Sequence, residues 1–269
     1  MTDRATVPVL GDPVPTALAD YYEKLDANRP EEAAAAFGAN AVYARPVPDA
    51  SEVAPRLVVQ GRHAIEELFV ARGAKPWRHR VILCAVDGSN CLLEGVTELP
   101  SGGVDSTFAA AAQLDAEGHV SGYVAFTCEP VTDPGPAAGV ASPGQARAVV
   151  DRYFEALCVG DFETAAGCFA EDIVYCHPPY TSGGLKGSGR IWLRGRAELQ
   201  AAFEKRGRTS YRHQVPVLIQ RGPNCLFEVN TLGSAGEDLG FGVSSLSLDE
   251  RALIRRYVAF FAIGPPSTA

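Results

Sequence analysis

The chain of 269 residues is poor in several features that mark whole classes of protein. No apolar run approaches the roughly 20 residues of a membrane-spanning helix. The start, Met1 to Arg4, lacks the charged and apolar regions of a signal peptide. The net charge of −8 argues against a nucleic-acid or anionic-membrane surface, which requires clustered Lys and Arg. We therefore expect a cytoplasmic protein with no nucleic-acid or membrane partner.

Metal and cofactor motifs are scarce as well. The seven cysteines are odd in number, include no Cys-x-x-Cys pair and lie in apolar segments, so we interpret them as reduced core thiols. The Gly-rich segment Thr181 to Gly189 lacks the spacing of a phosphate loop and is more typical of a flexible flap over a pocket. Asp49 to Glu52 take its place in the first half of the chain. The sequence therefore predicts neither a metal nor a cofactor.

Lysine is the rarest of the four charged residue types. The chain has four lysines against twenty arginines, and it is rich in alanine. This composition is typical of proteins from GC-rich bacterial genomes, so we expect a bacterial origin.

What the chain does contain is an internal repeat with a shift of 132 to 134 residues. The segment Tyr123 to Phe126 recurs letter for letter as Tyr257 to Phe260. Other repeated pairs are Tyr21 with Tyr153, Tyr43 with Tyr175, Gly61 with Gly195, Arg72 with Arg206, and His79 with His213. A repeat of this length is the size of a small domain. We predict lobe 1 at residues 14–130, a linker at 131–142 and lobe 2 at 143–265, after a loose arm at residues 1–13.

Each half shows the same order of patterns. An amphipathic helix and a short second helix come first, followed by a strand, a loop and a third helix opened by Gly61 or Gly195. The period then changes to two over four long strands, which in the first half lie near residues 78–86, 91–99, 104–115 and 119–129. This order predicts an α+β fold in which a curved sheet wraps the helices.

Three segments of the second half carry a resemblance to a known family. They are Asp151 to Asp161, Phe169 to Asp172, and Gly195-Arg196-x-x-Leu199. They resemble the NTF2-like superfamily, which includes ketosteroid isomerase, SnoaL-type polyketide cyclases and scytalone dehydratase. The resemblance implies two tandem cone-shaped α+β barrels, each a curved antiparallel sheet wrapped on three helices around an apolar pocket. It also implies that the lobes pack sheet to sheet as an intramolecular pseudo-dimer, which leaves room for a further homodimer.

The resemblance to ketosteroid isomerase selects two positions in each lobe. A tyrosine of the first helix donates a hydrogen bond to the enolate in that enzyme, and Tyr21 and Tyr153 match it. Its catalytic carboxylate is replaced here by Arg45 and His177, and its second acid aligns with Ala110 and Ser244. Steroid-type isomerisation is therefore not expected. A neutral His177 remains a candidate base, with the alternative that it bonds a loop carbonyl at a strand end.

The resemblance to scytalone dehydratase selects a second pair. His79 and His213 align with a functional histidine of that enzyme, and Asp26 aligns with an aspartate of its first helix. An aspartate that fixes the tautomer of a histidine is a sound acid/base arrangement. Lobe 2 departs from it, because Cys158 stands at the position of Asp26. The alternative for Asp26 is an ordinary helix end.

Further positions are assigned by strand alternation. Glu94 and Glu228 are repeated and point away from the pocket face, so we expect them at the inter-lobe contact or in solvent. Predicted substrate-binding residues are Arg45, Tyr123, Trp192, Phe203, Phe227, Phe241, Ser244 and Tyr257.

These observations predict a cofactor-independent acid/base enzyme. The expected reaction is a cyclisation, isomerisation or dehydration of a small, largely apolar natural-product intermediate such as a polyketide. Predicted catalytic residues are His177, Tyr153 and His213 in lobe 2, with Tyr21, Asp26 and His79 in lobe 1. Two alternatives stay open: a tandem epoxide hydrolase or epoxide-opening cyclase of the polyether type, and a small-molecule binding or scaffold protein without catalysis.

Overall fold

The computed structural model describes residues 9–46, 56–131, 136–137, 141–178, 180–181, 184–185 and 190–263. The segment Asp49 to Glu52 and most of the Gly-rich segment lie outside these residues, as does the start of the predicted arm. Among the described residues, no helix combines the length and the hydrophobicity needed to span a bilayer.

In its described residues, lobe 1 contains three helices and seven strands. Its helices are α1 (Thr16–Asp26), α2 (Pro30–Ala34) and α3 (Arg62–Arg72). Its strands are β1 (Leu10–Gly11), β2 (Phe37–Pro46), β3 (Arg56–Gln60), β4 (Arg78–Asp87), β5 (Asn90–Glu98), β6 (Val104–Leu114) and β7 (Val120–Cys128). They form one sheet in the order β1-β4-β5-β6-β7-β2-β3. The β2–β7 and β1–β4 pairs are parallel and the others antiparallel.

Lobe 2 repeats this arrangement. Its helices are α4 (Gln145–Val159), α5 (Phe162–Gly167) and α6 (Arg196–Arg206). Its strands are β8 (Phe169–His177), β9 (Tyr180–Thr181), β10 (Gly184–Leu185), β11 (Ile191–Arg194), β12 (Arg212–Gln214), β13 (Leu218–Arg221), β14 (Asn224–Leu232), β15 (Asp238–Leu248) and β16 (Ile254–Ile263). The main sheet has the order β11-β8-β16-β15-β14-β12, and β13 also pairs with β14. Apart from β1, the strand orders of the two lobes match, which confirms the predicted α+β class and the tandem repeat of one fold.

The strands differ from the sequence prediction in two places. The segment predicted as a loop before the third helix contains β3 in lobe 1, which pairs with β2, and β11 in lobe 2, which pairs with β8. The strand predicted to begin near Arg212 is split into β12 and β13 around Pro216. Proline has no backbone N–H to donate to a ladder, so it interrupts the strand.

The first helix of each lobe packs its apolar face against the inner face of the sheet. Leu18, Tyr21, Tyr22 and Leu25 follow helical spacing on α1 and are all buried. They join residues of α2, α3 and the strands in one core, and α4 does the same in lobe 2. The helices therefore cover the interior where a pocket is expected.

The outer faces of the two sheets pack against each other. A third apolar core joins residues of both lobes, and the rings of Phe126 and Phe241 meet in it at 5.9 Å between centroids. Glu94 and Arg256 form an ion pair across this contact, with a distance of 3.0 Å from Nη1 to Oε2. The predicted sheet-to-sheet pseudo-dimer is thus observed, and Glu94 occupies the inter-lobe position expected for it.

The last residues of the predicted loose arm are ordered. Leu10–Gly11 adds a short parallel strand to β4. The carboxylate of Asp12 accepts hydrogen bonds from Val86 N at 2.7 Å and from Arg221 Nε at 2.6 Å. The expectation of a loose arm up to residue 13 is therefore wrong for residues 10–12, because these contacts fix the segment between the lobes.

Candidate functional site

Lobe 2 encloses a cavity of about 30 Å³ between α4, the end of α6 and the inner face of its sheet. Its lining combines aromatic rings with titratable groups: Tyr153, Phe154, Leu157, Tyr175, His177, Arg206, His213, Val229, Gly242, Ser244, Tyr257, Ala259, Phe260 and Phe261. Five residues selected from the sequence meet here, namely Tyr153, His177, His213, Ser244 and Tyr257. The structure thus brings the predicted lobe 2 set to one enclosed space.

His177 ends β8 and is buried. Its Nδ1 donates to the carbonyl oxygen of Pro178. Because a carbonyl only accepts, Nδ1 carries the proton of the neutral ring and Nε2 is the basic nitrogen. Burial lowers the pKa of His177 to about 3, and the positive charges of Arg190 and Arg206 act in the same direction. His177 therefore bonds a loop carbonyl and lines the cavity at the same time, although the sequence offered these two roles as alternatives.

His213 lies on β12 and reaches the same cavity from the opposite sheet edge. Its ring stacks on Phe154 at 4.5 Å between centroids and meets Tyr211 edge-on at 5.4 Å. Burial of the imidazole lowers the pKa of His213 to about 3, with a further contribution from the charge of Arg206. Both cavity histidines are therefore neutral at physiological pH.

Four hydroxyl groups complete the polar part of the cavity wall. The Tyr153 and Tyr175 hydroxyls lie 3.5 Å apart. The Tyr257 hydroxyl lies 3.4 Å from Ser244 Oγ. Burial raises the pKa of Tyr257 to about 12, so this tyrosine keeps its proton and remains a hydrogen-bond donor.

Among the cavity residues that the sequence did not select, Arg206 and Gly242 matter most for the charge and the volume of the cavity. Arg206 ends α6, and Gly242 lies on β15 beside Val229 of β14. The signal for Arg206 was present in the repeated Phe-x-x-Arg-Gly motif. Gly242 had no such signal, because its effect on the cavity is visible only by comparison with the larger residue at the same position in lobe 1.

The interior of lobe 1 is filled at that place. Phe108 stands at the position of Gly242, and Tyr22 stands at that of Phe154, with their ring centroids 5.7 Å apart. Phe108 is buried, and its ring also meets His79 edge-on at 5.5 Å. The Phe108 side chain therefore occupies space that lobe 2 leaves open.

The neighbouring strand is adapted to this ring. A Cβ on Gly95 would lie 2.3 Å from Cζ of Phe108 and 2.7 Å from the carbonyl oxygen of Arg80. Lobe 2 has Val229 at the position of Gly95, and the smaller Gly242 opposite it. Lobe 1 thus has a Gly–Phe pair where lobe 2 has a Val–Gly pair. This difference explains why the space is filled in lobe 1 and open in lobe 2.

Phe108→Ala is expected to lower the free energy of unfolding by about 3–5 kcal/mol, because it removes a buried ring and leaves a cavity. Val104→Ala, on the same strand but 41% exposed, is the control and is expected to change stability by less than about 0.5 kcal/mol. Urea denaturation followed by circular dichroism measures both. A loss below about 1 kcal/mol for Phe108→Ala would show that the ring does not fill the interior.

The lobe 1 tyrosines form two hydroxyl pairs. Tyr21 and Tyr43 lie 3.1 Å apart at their hydroxyl oxygens, and Tyr22 and Tyr123 lie 2.8 Å apart. Burial raises the pKa of all four. These positions fit core tyrosines with satisfied hydroxyl groups.

Asp26 and His79 are brought together as the sequence analysis expected. His79 Nδ1 lies 2.7 Å from one carboxylate oxygen of Asp26, and its backbone N–H donates to the other oxygen at 2.7 Å. The ring is held between Tyr22 at 4.9 Å and Trp77 at 5.0 Å. The carboxylate accepts from Nδ1 of His79, so in the neutral ring Nδ1 carries the proton and Nε2 has a free lone pair.

The predicted aromatic walls divide into two groups. Phe203 and Phe227 lie in the lobe 2 core, where they support the cavity without lining it. Phe241 lies in the core between the sheets, and Trp192 packs against that core. Alternation along β15 turns Phe241 outward when Gly242 faces the cavity, which corrects the predicted pocket position of Phe241.

One cluster outside the cavity brings metal-ligand types together. Side-chain atoms of Asp115, Glu117 and His119 lie within 4.8 Å of one another at the turn between β6 and β7. The same Asp115 carboxylate accepts from the backbone N–H of Glu117 at 3.1 Å and of His119 at 2.8 Å. These hydrogen bonds account for the cluster as part of a tight turn.

Several solved structures are similar to this chain, among them NTF2-like and SnoaL-like proteins. A candidate ketosteroid isomerase from Kribbella flavida is 28% identical, covering 45% of this chain and 82% of its own, with a TM-score of 0.34. A hypothetical protein with a ketosteroid isomerase-like fold from Catenulispora acidiphila, in complex with trimethylamine, is 12% identical over 42% and 86%, with a TM-score of 0.35. An LEH-like epoxide hydrolase from M. tuberculosis is 18% identical over 44% and 82%, with a TM-score of 0.34. No family profile matches the chain, and no curated protein matches it significantly.

Proposed function

We propose that the lobe 2 cavity is a cofactor-independent acid/base site for a small, mostly apolar metabolite with an enolisable carbonyl group. The observation that carries the proposal is the meeting of two neutral imidazoles, His177 and His213, with tyrosine hydroxyls and Arg206 around one enclosed space. In this proposal, an imidazole takes a proton from carbon and returns it elsewhere, as isomerisation, cyclisation and dehydration require.

The low pKa of the histidines sets a condition on such a reaction. A base with a pKa of about 3 accepts a proton only if the charge that develops on the substrate is stabilised. Arg206 offers a positive charge and Tyr257 a hydroxyl donor at the same cavity, and both favour an enolate. The enolate in turn raises the pKa of the imidazole that has taken the proton, because opposite charges favour each other.

The size of the cavity limits what enters it unaided. A volume of about 30 Å³ holds one or two water molecules. A substrate with more than a few heavy atoms requires lining side chains to change rotamer, and the long Arg206 and half-buried Phe261 are suited to this. The apolar rings of the lining favour a substrate body without charge.

The test is hydrogen–deuterium exchange at the α-carbons of cyclohexanone and 2-tetralone, followed by NMR in D₂O. The wild-type protein is expected to accelerate exchange, and His177→Gln or His213→Gln to reduce the acceleration by about 10²- to 10⁴-fold. His63→Gln is the matched control, because the His63 side chain is 83% exposed on α3 of lobe 1. Exchange by both cavity variants at the wild-type rate would contradict the proposal.

A second candidate function is ligand binding without catalysis. The low pKa of both histidines and the small cavity favour it, since a weak base in a tight space holds a ligand more readily than it moves a proton. Ketone binding without accelerated exchange in any variant would support it. The epoxide-opening alternative is not proposed, because it needs paired carboxylates and no carboxylate is among the described residues that line the cavity.

A further inference from the structure

Lobe 1 has two arginines at the positions that line the cavity in lobe 2. Arg45 matches His177 and Arg72 matches Arg206 in the repeat. Along β2, Tyr43 belongs to the lobe 1 core and Ala44 to the core between the sheets, so Arg45 shares the inner face with Tyr43. We call Arg45 and Arg72 the arginine pair.

The surroundings of Arg72 are aromatic and short of acceptors. Its guanidinium lies over the ring of Trp77, 4.8 Å from the centroid. Its Nη2 is buried and has no hydrogen-bond partner among the described residues. The nearby carboxylate of Asp26 already receives two hydrogen bonds from His79. A buried donor without a partner is unusual in a folded protein and marks a place for an acceptor.

The electrostatics of the pair point the same way. Burial lowers the pKa of Arg72, and the positive charge of Arg45 lowers it further, so the two guanidinium groups repel each other. Tyr21, Tyr43 and Asp26 offset part of this effect. Among the described residues, neither arginine forms an ion pair with a carboxylate of the chain. The local positive charge is therefore left for an external anion to balance.

We propose that the arginine pair is a binding site for the carboxylate of a small aromatic acid. The planar fork of a guanidinium matches a carboxylate in a two-bond arrangement. Trp77, which is only partly buried, offers a flat apolar surface beside Arg72 that suits an aromatic body. A free phosphate has no apolar part that could contact this ring. This site belongs to lobe 1 and does not depend on acid/base activity in lobe 2.

Trp77 provides a direct probe of the site. The chain has two tryptophans, Trp77 and Trp192, so Trp192→Phe leaves Trp77 as the only tryptophan in an otherwise complete protein. Titration of this variant with benzoate is expected to change its fluorescence saturably. Benzamide, which has the same ring without the charge, and inorganic phosphate, which has charge without the ring, are expected to bind at least tenfold more weakly.

Substitutions in the same Trp192→Phe background locate the binding. Arg72→Gln and Arg45→Gln are each expected to weaken benzoate binding by about tenfold or more, because each removes a charge-assisted hydrogen bond. Arg72→Lys, which keeps the charge without the fork, is expected to bind with intermediate strength. Arg78→Gln is the control. Arg78 is exposed, and its substitution also removes one positive charge from lobe 1.

The two single variants protect the test against misfolding, because Arg45→Gln leaves the contact of Arg72 with Trp77 intact. Circular dichroism of each variant confirms that it is folded. Three results overturn the proposal: no saturable benzoate response, benzoate binding at wild-type strength in both Gln variants, or phosphate binding as tightly as benzoate.

Discussion

Glu94→Gln is expected to lower the free energy of unfolding by about 3–5 kcal/mol at neutral pH, because it leaves a buried charge without its partner. Arg256 is 3% exposed and Glu94 is fully buried. Two guanidinium nitrogens of Arg256 reach the two carboxylate oxygens, and Nη1 also donates to Ser245 Oγ at 2.9 Å. Glutamine keeps the shape of the side chain but cannot balance the arginine.

Glu228→Gln is the matched control for this prediction. Glu228 is the repeat partner of Glu94, but Gly122 stands where lobe 1 would need an arginine. Burial raises the pKa of Glu228 to about 7, so its ionised form is unfavourable in the folded protein. The amide is therefore expected to stabilise the protein at pH 8 by on the order of 1 kcal/mol, a value reduced for its partial exposure.

Urea denaturation at pH 8 measures both substitutions. Opposite signs for the two repeat-related glutamates would show that the arginine, rather than the position in the sheet, determines the effect. The interpretation fails if Glu94→Gln leaves stability within about 1 kcal/mol of wild type.

Acidification from pH 7 to pH 5 is expected to lower the free energy of unfolding by on the order of 2–4 kcal/mol through His177 and His213. Both have a pKa of about 3 in the folded protein, against about 6.5 when unfolded. Between these values the unfolded chain binds more protons than the folded one, so stability falls as the pH drops. Glu228 acts in the opposite direction, because its pKa is raised on folding and its contribution is lost as the pH rises toward 7.

The measurement compares the pH dependence of urea unfolding in the wild type and in a His177→Gln/His213→Gln double variant. Glutamine does not titrate, so the variant is expected to have a flatter dependence between pH 5 and pH 7. The comparison uses the slope, and a constant cost of placing an amide in the cavity does not affect it. Equal slopes in the two proteins would contradict the assignment of low pKa values to these histidines.

Much of the fold follows from short-range patterns in the sequence. The helical spacing of Leu18, Tyr21, Tyr22 and Leu25 predicted α1, and alternation predicted the four long strands of lobe 1 close to their observed bounds. The loop predicted before α3 is wrong because β3 is short and its pairing with β2 is a long-range contact. Pro216 was visible in the sequence, but its effect on the strand depends on how the adjacent strand pairs at that point, because proline has no N–H to donate to it.

The candidate site was predictable only in part. Repeated positions and the family resemblance identified five residues of the lobe 2 cavity, namely Tyr153, His177, His213, Ser244 and Tyr257. Gly242 was not predicted, because the space it leaves becomes apparent only by comparison with Phe108 of lobe 1. Phe241 was assigned to the wrong face of its strand, because that face depends on the exact register of β15. Local patterns indicate which residues face inward, whereas the volume left among them is a property of the whole packed lobe.

The contact between Glu94 and Arg256 has no mirror image, since Glu228 has no ion pair with an arginine within the described part of the chain. In a symmetric dimer of identical subunits, every substitution occurs in both subunits. Such a dimer therefore cannot have a charge pair on one side only, or a filled interior in one subunit only. Joining the copies in one polypeptide removes that constraint. Phe108 could therefore fill its position in lobe 1 while Gly242 left the equivalent position in lobe 2 open, a difference that two identical subunits cannot have.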